Sequence, residues 1–305
     1  MKVVDMKPQA AENLLKGFGA AGFQATELAR ASGILREMLA DRECTVFFAF
    51  TSNMMASGLR GLFIDLARRR LFDAAITAGG SLDHDFIRSF EDYEIGSFAE
   101  DDVRLHRGSV NRLGNILVPN ARYVSFEKRV RPVLEALYRR RRTVSPGDIS
   151  AELGDFLKKR KSFLGECRKN GIPVFCPGIT DSALGLQLYY VKQDHADFAV
   201  DVTADMGALG TMVLSAKRTG ALVLGGGISK HHTIAVNLLR GGLDYAVYVT
   251  TAAEYDGSLS GARASEAKSW GKVAEKGATA TVHGDASIVF PLLHASLGEG
   301  LKMRS

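Results

Sequence analysis

The chain has 305 residues, of which 46% are hydrophobic and 24% charged, with seven prolines and a formal net charge of +5 at pH 7. This composition excludes a disordered, collagen-like or low-complexity chain, and the length predicts one large α/β domain or two modest lobes. The apolar runs are far shorter than the roughly 20 residues of a membrane helix, and the amino terminus carries charge and proline where a signal peptide would be apolar. The sequence therefore predicts a soluble, cytoplasmic protein.

Short apolar segments alternate with helical patterns along most of the chain. Residues 44–51 predict a buried strand, followed by a helix over about 53–70 and a second strand at 73–77. A long helix is predicted over about 120–142, and Ser145 with the proline after it suits the cap and first turn of the next helix. Four more short, β-rich segments follow, at 172–176, 221–225, 244–250 and 280–284.

This alternation predicts the fold class. A single domain over residues 1–305 would contain a doubly wound, mostly parallel sheet of Rossmann-like type with helices on both faces. A helical amino-terminal extension over 1–43 and a helical insertion over about 120–170 would be added to this sheet. The chain contains no repeat and no linker-like tract that would argue for independent modules.

Basic residues, cysteines and histidines argue against nucleic acid and metal as partners. The basic runs at 68–70, 139–142 and 158–161 each stand at the polar end of a helix-like segment, where cations complement the helix dipole and remain solvated. Three cysteines without C-x-x-C spacing and seven histidines without H-E-x-x-H predict reduced core thiols and no metal site.

Glycine, hydroxyl and acidic residues follow each predicted strand. In an open α/β sheet, ligands bind beyond the carboxyl ends of the strands, and glycines there let backbone N–H groups approach a phosphate. These turns therefore predict a nucleotide site. The segment GGGISK at 225–230 has G-x-G spacing, but Lys230 stands where a third glycine would be expected. By itself this segment is weak evidence, since the glycines could serve only a tight turn.

The stretch EYDGSLSGARASEAKSWGK, residues 254–272, is the most informative one. It predicts a glycine-rich loop leading into a short helix that Ser265 would cap, so that Glu266 and Trp270 are i, i+4 neighbours on one face. A carboxylate beside an aromatic plane suits an alkylammonium ligand. Lys272, directly after the glycine that would end this helix, could lose its proton in a partly dehydrated site and act as a Schiff-base nucleophile. The alternative is a solvated surface lysine.

A series of ordered segments over nearly the whole chain resembles the deoxyhypusine synthase family. Several of them contain rare residues, which makes a chance match improbable. The segments are LLKGFGAAGFQAT (14–26), TSNMMASGLR (51–60), TAGG (77–80), NRLGNILVPNARY (111–123), IPVFCPGITD (172–181), LGGGISKHH (224–232), DYAVYVTTAAEYDGS (244–258), SGARASEAKSWGK (260–272) and DASIVFPLL (285–293).

The resemblance implies an NAD-dependent transfer of the aminobutyl group of spermidine to one lysine of the hypusine-containing translation initiation factor. Lys272 matches the nucleophile of the family and would hold the transferred group as an enzyme imine. The resemblance also implies a homotetramer with active sites at a dimer interface. No metal is implied, and neither nucleic acid nor a membrane is expected as a partner.

Roles carried over by position fall into three groups. The catalytic residues would be Lys272, His231 and Glu266. The amine substrate would contact Tyr248, Gly257, Ser258, Trp270 and Asp83. NAD would be bound by Ser52, Asn53, Thr77, Ala78, Gly79, Asp181, Gly226, Thr251, Ala252, Asp285 and Ala286.

Two positions depart from the family pattern. Leu186 and Leu259 stand where many relatives have an aspartate, which weakens the attraction for a polycation. Asp83 lies in a segment, SLDHD, that also departs from the usual pattern, and together with His84 and Asp85 it could compensate for the lost carboxylates.

Two alternative functions remain open at this point. The same NAD and lysine chemistry could deliver the aminobutyl group to a small amine such as putrescine, as in homospermidine synthesis. A protein of another class, a non-catalytic NAD-binding or nucleic-acid-binding protein, would not need Lys272, Glu266 and Trp270 together.

Overall fold

The computed structural model describes residues 1–3, 5, 12–298 and 301, in which helices and strands alternate. The first half of the chain contains α1 (Glu12–Phe18), α2 (Phe23–Ala40), β1 (Cys44–Phe50), α3 (Ser52–Ala56), α4 (Arg60–Arg68), β2 (Ala74–Ala78), α5 (Gly79–Arg88), β3 (Glu94–Ile95), α6 (Asp102–Arg107), β4 (Val110–Leu113), β5 (Ile116–Pro119) and α7 (Asn120–Arg140). The second half contains β6 (Thr143–Val144), α8 (Pro146–Leu157), α9 (Phe163–Lys169), β7 (Val174–Gly178), α10 (Ala183–Asp194), β8 (Ala199–Val200), α11 (Asp205–Ser215), β9 (Arg218–Leu224), α12 (Gly227–Val236), β10 (Leu243–Thr250), β11 (Val273–His283) and α13 (Ala286–Ala295), with 3-10 helices at Asn237–Arg240 and Glu266–Lys268.

The central sheet has six strands in the order β11-β10-β9-β1-β2-β7, and every neighbouring pair is parallel. From β1 the chain builds outward through β2 and β7 on one side and then through β9, β10 and β11 on the other. This is the doubly wound strand order, with its switch point between β1 and β9. The predicted Rossmann-like fold class is confirmed.

The apolar run of β1 is buried on both faces of the sheet. On one face the Phe48 ring packs against Phe63 of α4, with ring centroids 4.9 Å apart, and against Phe290 of α13 at 6.3 Å. On the other face Phe47 belongs to a second core cluster with Ile234 of α12. Helices on both faces explain why this strand reads as a continuous hydrophobic segment instead of an alternating one.

The predicted helix over 53–70 is wrong in one respect, since the structure divides it into α3 and α4. The Ser57 hydroxyl donates to the Met54 carbonyl oxygen at 2.7 Å, and the Leu59 amide donates to the Ser57 hydroxyl oxygen at 3.2 Å. A serine that bonds to nearby backbone in this way competes with the helical hydrogen bonds, and Gly58 lowers the helix propensity further. The chain therefore turns at 57–59.

Helices occupy the regions predicted as the amino-terminal extension and the insertion. α1 and α2 lie within 1–43, of which residues 4 and 6–11 fall outside the described part of the chain. α7, α8 and α9 lie within the insertion, and Ser145 forms the predicted cap of α8: its hydroxyl accepts from the Asp148 amide while the Asp148 carboxylate accepts from the Ser145 amide.

Two small sheets were not predicted. β3, β5 and β4 form an antiparallel sheet over 94–119, and β6 pairs with β8. These strands have two to four residues each, and half of the β4 side chains are exposed; only β5 is apolar throughout, and its four residues are too few to distinguish a strand from other apolar segments. No helix in the described part of the chain is long and apolar enough to cross a membrane.

Candidate active site

A crevice of about 480 Å³ opens at the carboxyl ends of the sheet strands, over the switch point between β1 and β9. We call this cavity the crevice. Its walls come from the turns after β1, β9, β10 and β11 and from the β4–β5 hairpin. The lining residues are Thr51, Asn53, Met54, Ser57, Leu59, Phe98, Leu113, Gly114, Asn115, Ile116, Gly225, Gly226, Val249, Thr250, Thr251, Ala252, Ser260, Gly284, Asp285, Ala286 and Ser287.

Glycines shape the floor of the crevice. Gly225 has a φ of 84°, which favours glycine, and its amide donates to the Val249 carbonyl oxygen at 2.8 Å. A Cβ at Gly226 would lie 2.7 Å from the Ser260 Cα, so a larger residue would push away the loop after β10. Directly beyond these glycines α12 begins, and its amino terminus carries the partial positive charge that favours a phosphate.

The crevice brings together most residues predicted to bind the cofactor. Six of them line it: Asn53, Gly226, Thr251, Ala252, Asp285 and Ala286. Ser52 is adjacent to Asn53 at the start of α3. The other four, Thr77, Ala78, Gly79 and Asp181, lie at the ends of β2 and β7 and are not among the lining residues.

The turns after β2 and β7 pack tightly against each other. The Thr77 side chain is buried and donates to the Phe50 carbonyl oxygen at 2.9 Å. A Cβ at Gly79 would lie 2.9 Å from the Ile179 carbonyl oxygen. Thr77 and Gly79 therefore serve the packing of adjacent strand ends in this chain, whatever further contact a ligand makes with them.

A second cavity, of about 240 Å³, lies on one face of the sheet between α12 and the loop that leads into β11. We call it the Lys272 cavity. It contains every residue predicted to be catalytic and most of those predicted to contact the amine. The lining residues are Lys230, His231, Ile234, Tyr248, Gly257, Leu259, Ala262, Arg263, Glu266, Ala267, Trp270 and Lys272. Ser258 lies between Gly257 and Leu259 in the same loop.

The Lys272 side chain is placed by a turn just before β11. The Lys272 Nζ lies 5.1 Å from the centroid of the Trp270 ring, and Gly271 between them has a φ of 67°. The 3-10 helix at Glu266–Lys268 replaces the predicted α-helix, and the predicted cap is wrong: Ser265 makes no capping hydrogen bond because its own φ of −67° and ψ of −33° are helical.

Lys230 is a site residue to which sequence analysis assigned no role. Its side chain is completely buried, and the residue lies in the wall of the Lys272 cavity. The Nζ donates to the Ala262 carbonyl oxygen at 2.7 Å and lies 4.5 Å from the centroid of the Tyr248 ring. Burial lowers the pKa of Lys230 to about 8, and the nearby Glu266 opposes this only in part. The sequence signal was its position at the turn after β9, where a third glycine was expected.

Substitution of Lys230 by methionine tests this burial. The pKa of about 8 in the folded chain lies below the ordinary value of about 10.4 in an unfolded chain. Between these values the unfolded chain binds the extra proton, so Lys230 makes the free energy of unfolding rise as the pH rises from 8 to 10. Between pH 8 and 10 we expect the free energy of unfolding of wild type to rise by about 2 kcal/mol relative to that of Lys230→Met. Urea unfolding at each pH measures this difference. The exposed Lys276→Met is the control, and a pH-independent difference for Lys230→Met would contradict the prediction.

Asp83 does not lie in the Lys272 cavity of the described chain. Its carboxylate is 4% exposed and accepts from the Ala183 and Leu184 amides, at 2.8 and 2.9 Å, at the amino terminus of α10. Burial raises the pKa of Asp83 to about 7, although the two amides favour the ionised form. Its role as an amine ligand stays a prediction. Asp85, the other possible replacement carboxylate, is fully buried against Arg60 at 2.8 Å.

The two leucines that depart from the family pattern lie in different places. Leu259 lines the Lys272 cavity and packs against the core cluster on that face of the sheet. Leu186 is 49% exposed on α10 and lines neither cavity. Glu266 is thus the single carboxylate among the described residues that line the Lys272 cavity, while Arg263 in its wall pairs with Glu254 at 2.8 Å.

The sheet order, the crevice at its switch point and the cavity that contains Lys272 define a Rossmann-like α/β protein with two cavities lined by residues of the strand-end loops. The model of the family "Deoxyhypusine synthase" matches residues 13–297. A Thermoplasma volcanium protein named "Probable deoxyhypusine synthase" is 44% identical over 285 residues, which cover 93% of this chain and 92% of that protein. A protein of the same name from Ignicoccus hospitalis is 44% identical over 282 residues, covering 90% and 88%.

A solved structure supports the fold. The crystal structure of a candidate deoxyhypusine synthase from Entamoeba histolytica has a TM-score of 0.72 with this chain, at 23% identity, and the match covers 96% of this chain and 94% of that one. The chain belongs to the deoxyhypusine synthase family, which is a family of transferases.

Proposed function

We propose that this protein transfers the aminobutyl group of spermidine, with NAD as cofactor, to one lysine of the hypusine-containing translation initiation factor. The observation that carries the proposal is that one cavity is lined by Lys272, Glu266, Trp270, His231 and Tyr248. His231 and Tyr248 are distant in sequence from the other three, so the fold, and not chain proximity, brings these five residues together. Membership of the deoxyhypusine synthase family supports it. The proposal treats residues 1–305 as a single domain acting in the cytoplasm.

The crevice fits a dinucleotide. Gly226 allows Ser260 to pack within 2.7 Å of where a Cβ would stand, and the residues at the amino termini of α12 and α13 line the crevice. Asp285, at the cap of α13, offers a carboxylate for a ribose hydroxyl. The same proposal assigns NAD contacts to Ser52, Asn53, Gly226, Thr251, Ala252, Asp285 and Ala286, and to Thr77, Ala78, Gly79 and Asp181 at the adjoining strand ends. The chemistry that bound NAD supplies is acceptance of a hydride in the first step and its return in the last.

The residues of the Lys272 cavity would perform the remaining steps. The Glu266 carboxylate attracts an ammonium group of the amine, and the face of Trp270 adds a cation–π attraction. After oxidation beside the secondary amine, Lys272 Nζ attacks the substrate imine, 1,3-diaminopropane leaves, and the aminobutylidene group remains bound to Lys272 as an imine. The acceptor lysine then takes over this group. His231, Tyr248, Gly257 and Ser258 would position the amine.

Exposure of the Lys272 cavity supports a multimeric site. Trp270 is 66% exposed in the described chain, yet water would hydrolyse the enzyme imine. A second subunit over this face would exclude water and could bring further carboxylates, Asp83 among them, toward the amine. We therefore propose a homotetramer with active sites at a dimer interface.

Substitution of Gly226 by alanine tests the crevice as the NAD site. The added Cβ would displace the Ser260 backbone, so we expect NAD affinity to fall about tenfold, as the loss of one good polar contact does. Calorimetric titration of NAD measures this change. Gly207→Ala is the control, because a Cβ at that α11 position meets no atom within 4 Å. Unchanged NAD affinity in Gly226→Ala would remove this glycine from the site.

An acceptor assay tests the function. The full chain is incubated with NAD and spermidine labelled in the aminobutyl group, together with either the initiation factor precursor or putrescine. We expect the label on one lysine of the factor. Label in homospermidine alone would support the small-amine alternative, while NAD binding without transfer to either acceptor would support the non-catalytic alternative.

A further inference from the structure

The Lys272 cavity has more basic than acidic groups in its wall, which is unusual for a site that binds a polycation. Glu266 is the single carboxylate among the described residues that line it, and Leu259, one of the departures from the family pattern, adds none. Two lysines, Lys230 and Lys272, belong to the same wall. An amine that enters with its ammonium groups charged therefore adds positive charge to a wall that already has an excess of it.

Lys230 is buried close to the carboxylate. It is the fourth residue of α12, its side chain is completely buried, and Glu266 lies near enough to favour the charged form of the lysine and raise its pKa. The Lys230 Nζ also lies 4.5 Å from the centroid of the Tyr248 ring, whose face attracts a cation. Before an amine binds, Lys230 thus provides Glu266 with a counter-charge from within the chain.

The charged form of Lys230 is only weakly favoured at this position. Burial lowers its pKa to about 8, so a modest change in the local field is enough to remove the proton. The cavity of about 240 Å³ leaves little distance between a bound cation and Lys230 in the wall, and charges that are buried are poorly screened. A second positive charge in the cavity therefore favours the neutral lysine.

Loss of this proton leaves the loop that carries Lys272 in place. The Lys230 Nζ donates to the Ala262 carbonyl oxygen at 2.7 Å, which ties α12 to the loop after β10. An ammonium group has three N–H donors and a neutral amine keeps two, so this hydrogen bond is available to both forms. The charge of Lys230 can therefore change without a movement of the loop.

The other ionisable groups in the wall differ from Lys230. Burial raises the pKa of Tyr248, so its hydroxyl stays protonated. Pairing with a neighbouring glutamate raises the pKa of Arg263, so its guanidinium stays charged. His231 is exposed and Lys272 is half-buried, so water reaches both side chains. Lys230 is the completely buried base among the described residues that line the cavity.

We propose that Lys230 is the internal counter-ion of Glu266 and determines the pH range in which the site accepts an amine. When an ammonium group of the amine takes the place beside Glu266, one N–H bond of Lys230 breaks, the nitrogen keeps the electron pair, and the proton passes to water. One positive charge enters and one leaves, so the net charge of the site is unchanged. This inference rests on the proposed aminobutyl transfer, and it adds a specificity-determining residue to that site.

A neutral variant of Lys230 tests the inference. Lys230→Gln removes the charge and keeps an N–H donor for the Ala262 carbonyl oxygen. Calorimetry measures spermidine binding to the full chain at pH 7 and pH 9, with NADH added because NADH cannot accept a hydride. We expect Lys230→Gln to bind spermidine about tenfold more tightly than wild type at pH 7 and about equally at pH 9, because only at the lower pH must wild type first lose a proton.

The comparison removes other sources of pH dependence. The ionisation of spermidine itself is common to wild type and variant, and so are His231, Arg263 and Lys272. Lys276→Gln is the matched control, because this lysine is exposed and lies outside the cavity lining. It changes the net charge of the chain by the same amount, and we expect it to bind spermidine as wild type does at both pH values.

The outcomes separate the inference from the function on which it rests. A wild type that binds no spermidine at either pH would overturn both. Equal affinity of wild type and Lys230→Gln at pH 7 would overturn the counter-ion role alone, and weaker binding by Lys230→Gln at both pH values would show that the lysine serves only the packing of the loop.

Two further measurements keep the inference testable if Lys230→Gln does not fold. Lys230→Met is a second neutral variant, for which we expect the same tighter binding at pH 7. Calorimetry of wild type in two buffers of different ionisation enthalpy counts the protons released on binding. We expect about one proton at pH 7, and binding of spermidine without proton release would overturn the inference.

Discussion

Substitution of Lys272 by alanine is expected to lower the rate of aminobutyl transfer by about 10⁴-fold or more, since loss of a covalent nucleophile leaves only substrate binding and hydride transfer. Lys272→Arg separates the two roles of this side chain. Arginine retains a cation beside the Trp270 ring but cannot form an imine, so we expect the same loss of transfer. NAD affinity should be unchanged in both variants, because Lys272 does not line the crevice.

Borohydride reduction in the presence of NAD and labelled spermidine measures the covalent step directly. Wild type should carry the label on Lys272, and both variants should carry none. Lys268→Ala is the matched control, because this lysine lies in the same loop and its Nζ donates to the Glu275 carbonyl oxygen at 2.8 Å outside the cavity lining. Substantial transfer by Lys272→Arg, or a label on another lysine, would contradict the assignment.

The parallel core could be predicted because its strands are covered on both faces. β1 and residues 245–249 of β10 are short segments rich in apolar and aromatic residues, and each is followed by hydroxyl residues that mark the carboxyl end of the strand. The small sheet over 94–119 could not be predicted, because its strands are short and partly exposed and are recognisable only once they pair. The part of the crevice lining that comes from the β4–β5 hairpin was missed for the same reason.

Part of the site follows from local sequence and part does not. Glu266, Trp270 and Lys272 lie within one short loop, so their proximity could be predicted. His231 and Tyr248 reach the same cavity only because α12 packs against the face of the sheet, which residue spacing does not reveal. The burial of the Lys230 side chain also depends on this packing of α12 against the sheet. A lysine after a glycine turn is usually solvated, and only the fold shows that this one is buried.

Acidic residues of α5 show the limit of interpretation by residue type. An aspartate that binds an amine and an aspartate that caps a helix can stand in the same kind of local sequence. Asp83 caps α10 and Asp85 binds the start of α9, and both groups of partners lie far along the chain. The sequence alone therefore could not distinguish a substrate ligand from a structural anion in the segment SLDHD.

Substitution of Asp85 by alanine is expected to destabilise the fold by about 3–5 kcal/mol, the cost of breaking a buried ion pair by removing one partner. The Asp85 carboxylate is fully buried and accepts from Arg60 Nε at 2.8 Å, the Ser162 hydroxyl at 2.7 Å, the Phe163 amide at 3.0 Å and the Leu164 amide at 2.9 Å. Its loss would leave these donors without their acceptor. Asp5, 3.1 Å from Arg60 Nη1, would balance the charge only in part.

Urea unfolding at neutral pH measures the effect of Asp85→Ala, with Asp92→Ala as the control, because the Lys2–Asp92 pair at 2.7 Å is exposed and such pairs contribute about 1 kcal/mol or less. Asp85→Asn keeps the size of the side chain and two acceptor positions on its oxygen but removes the charge opposite Arg60. We expect it to recover only a minor part of the lost stability, because Arg60 is itself buried and needs a counter-charge. If Asp85→Asn were as stable as wild type, hydrogen bonding to α9 and not the ion pair would be what this carboxylate contributes to the fold.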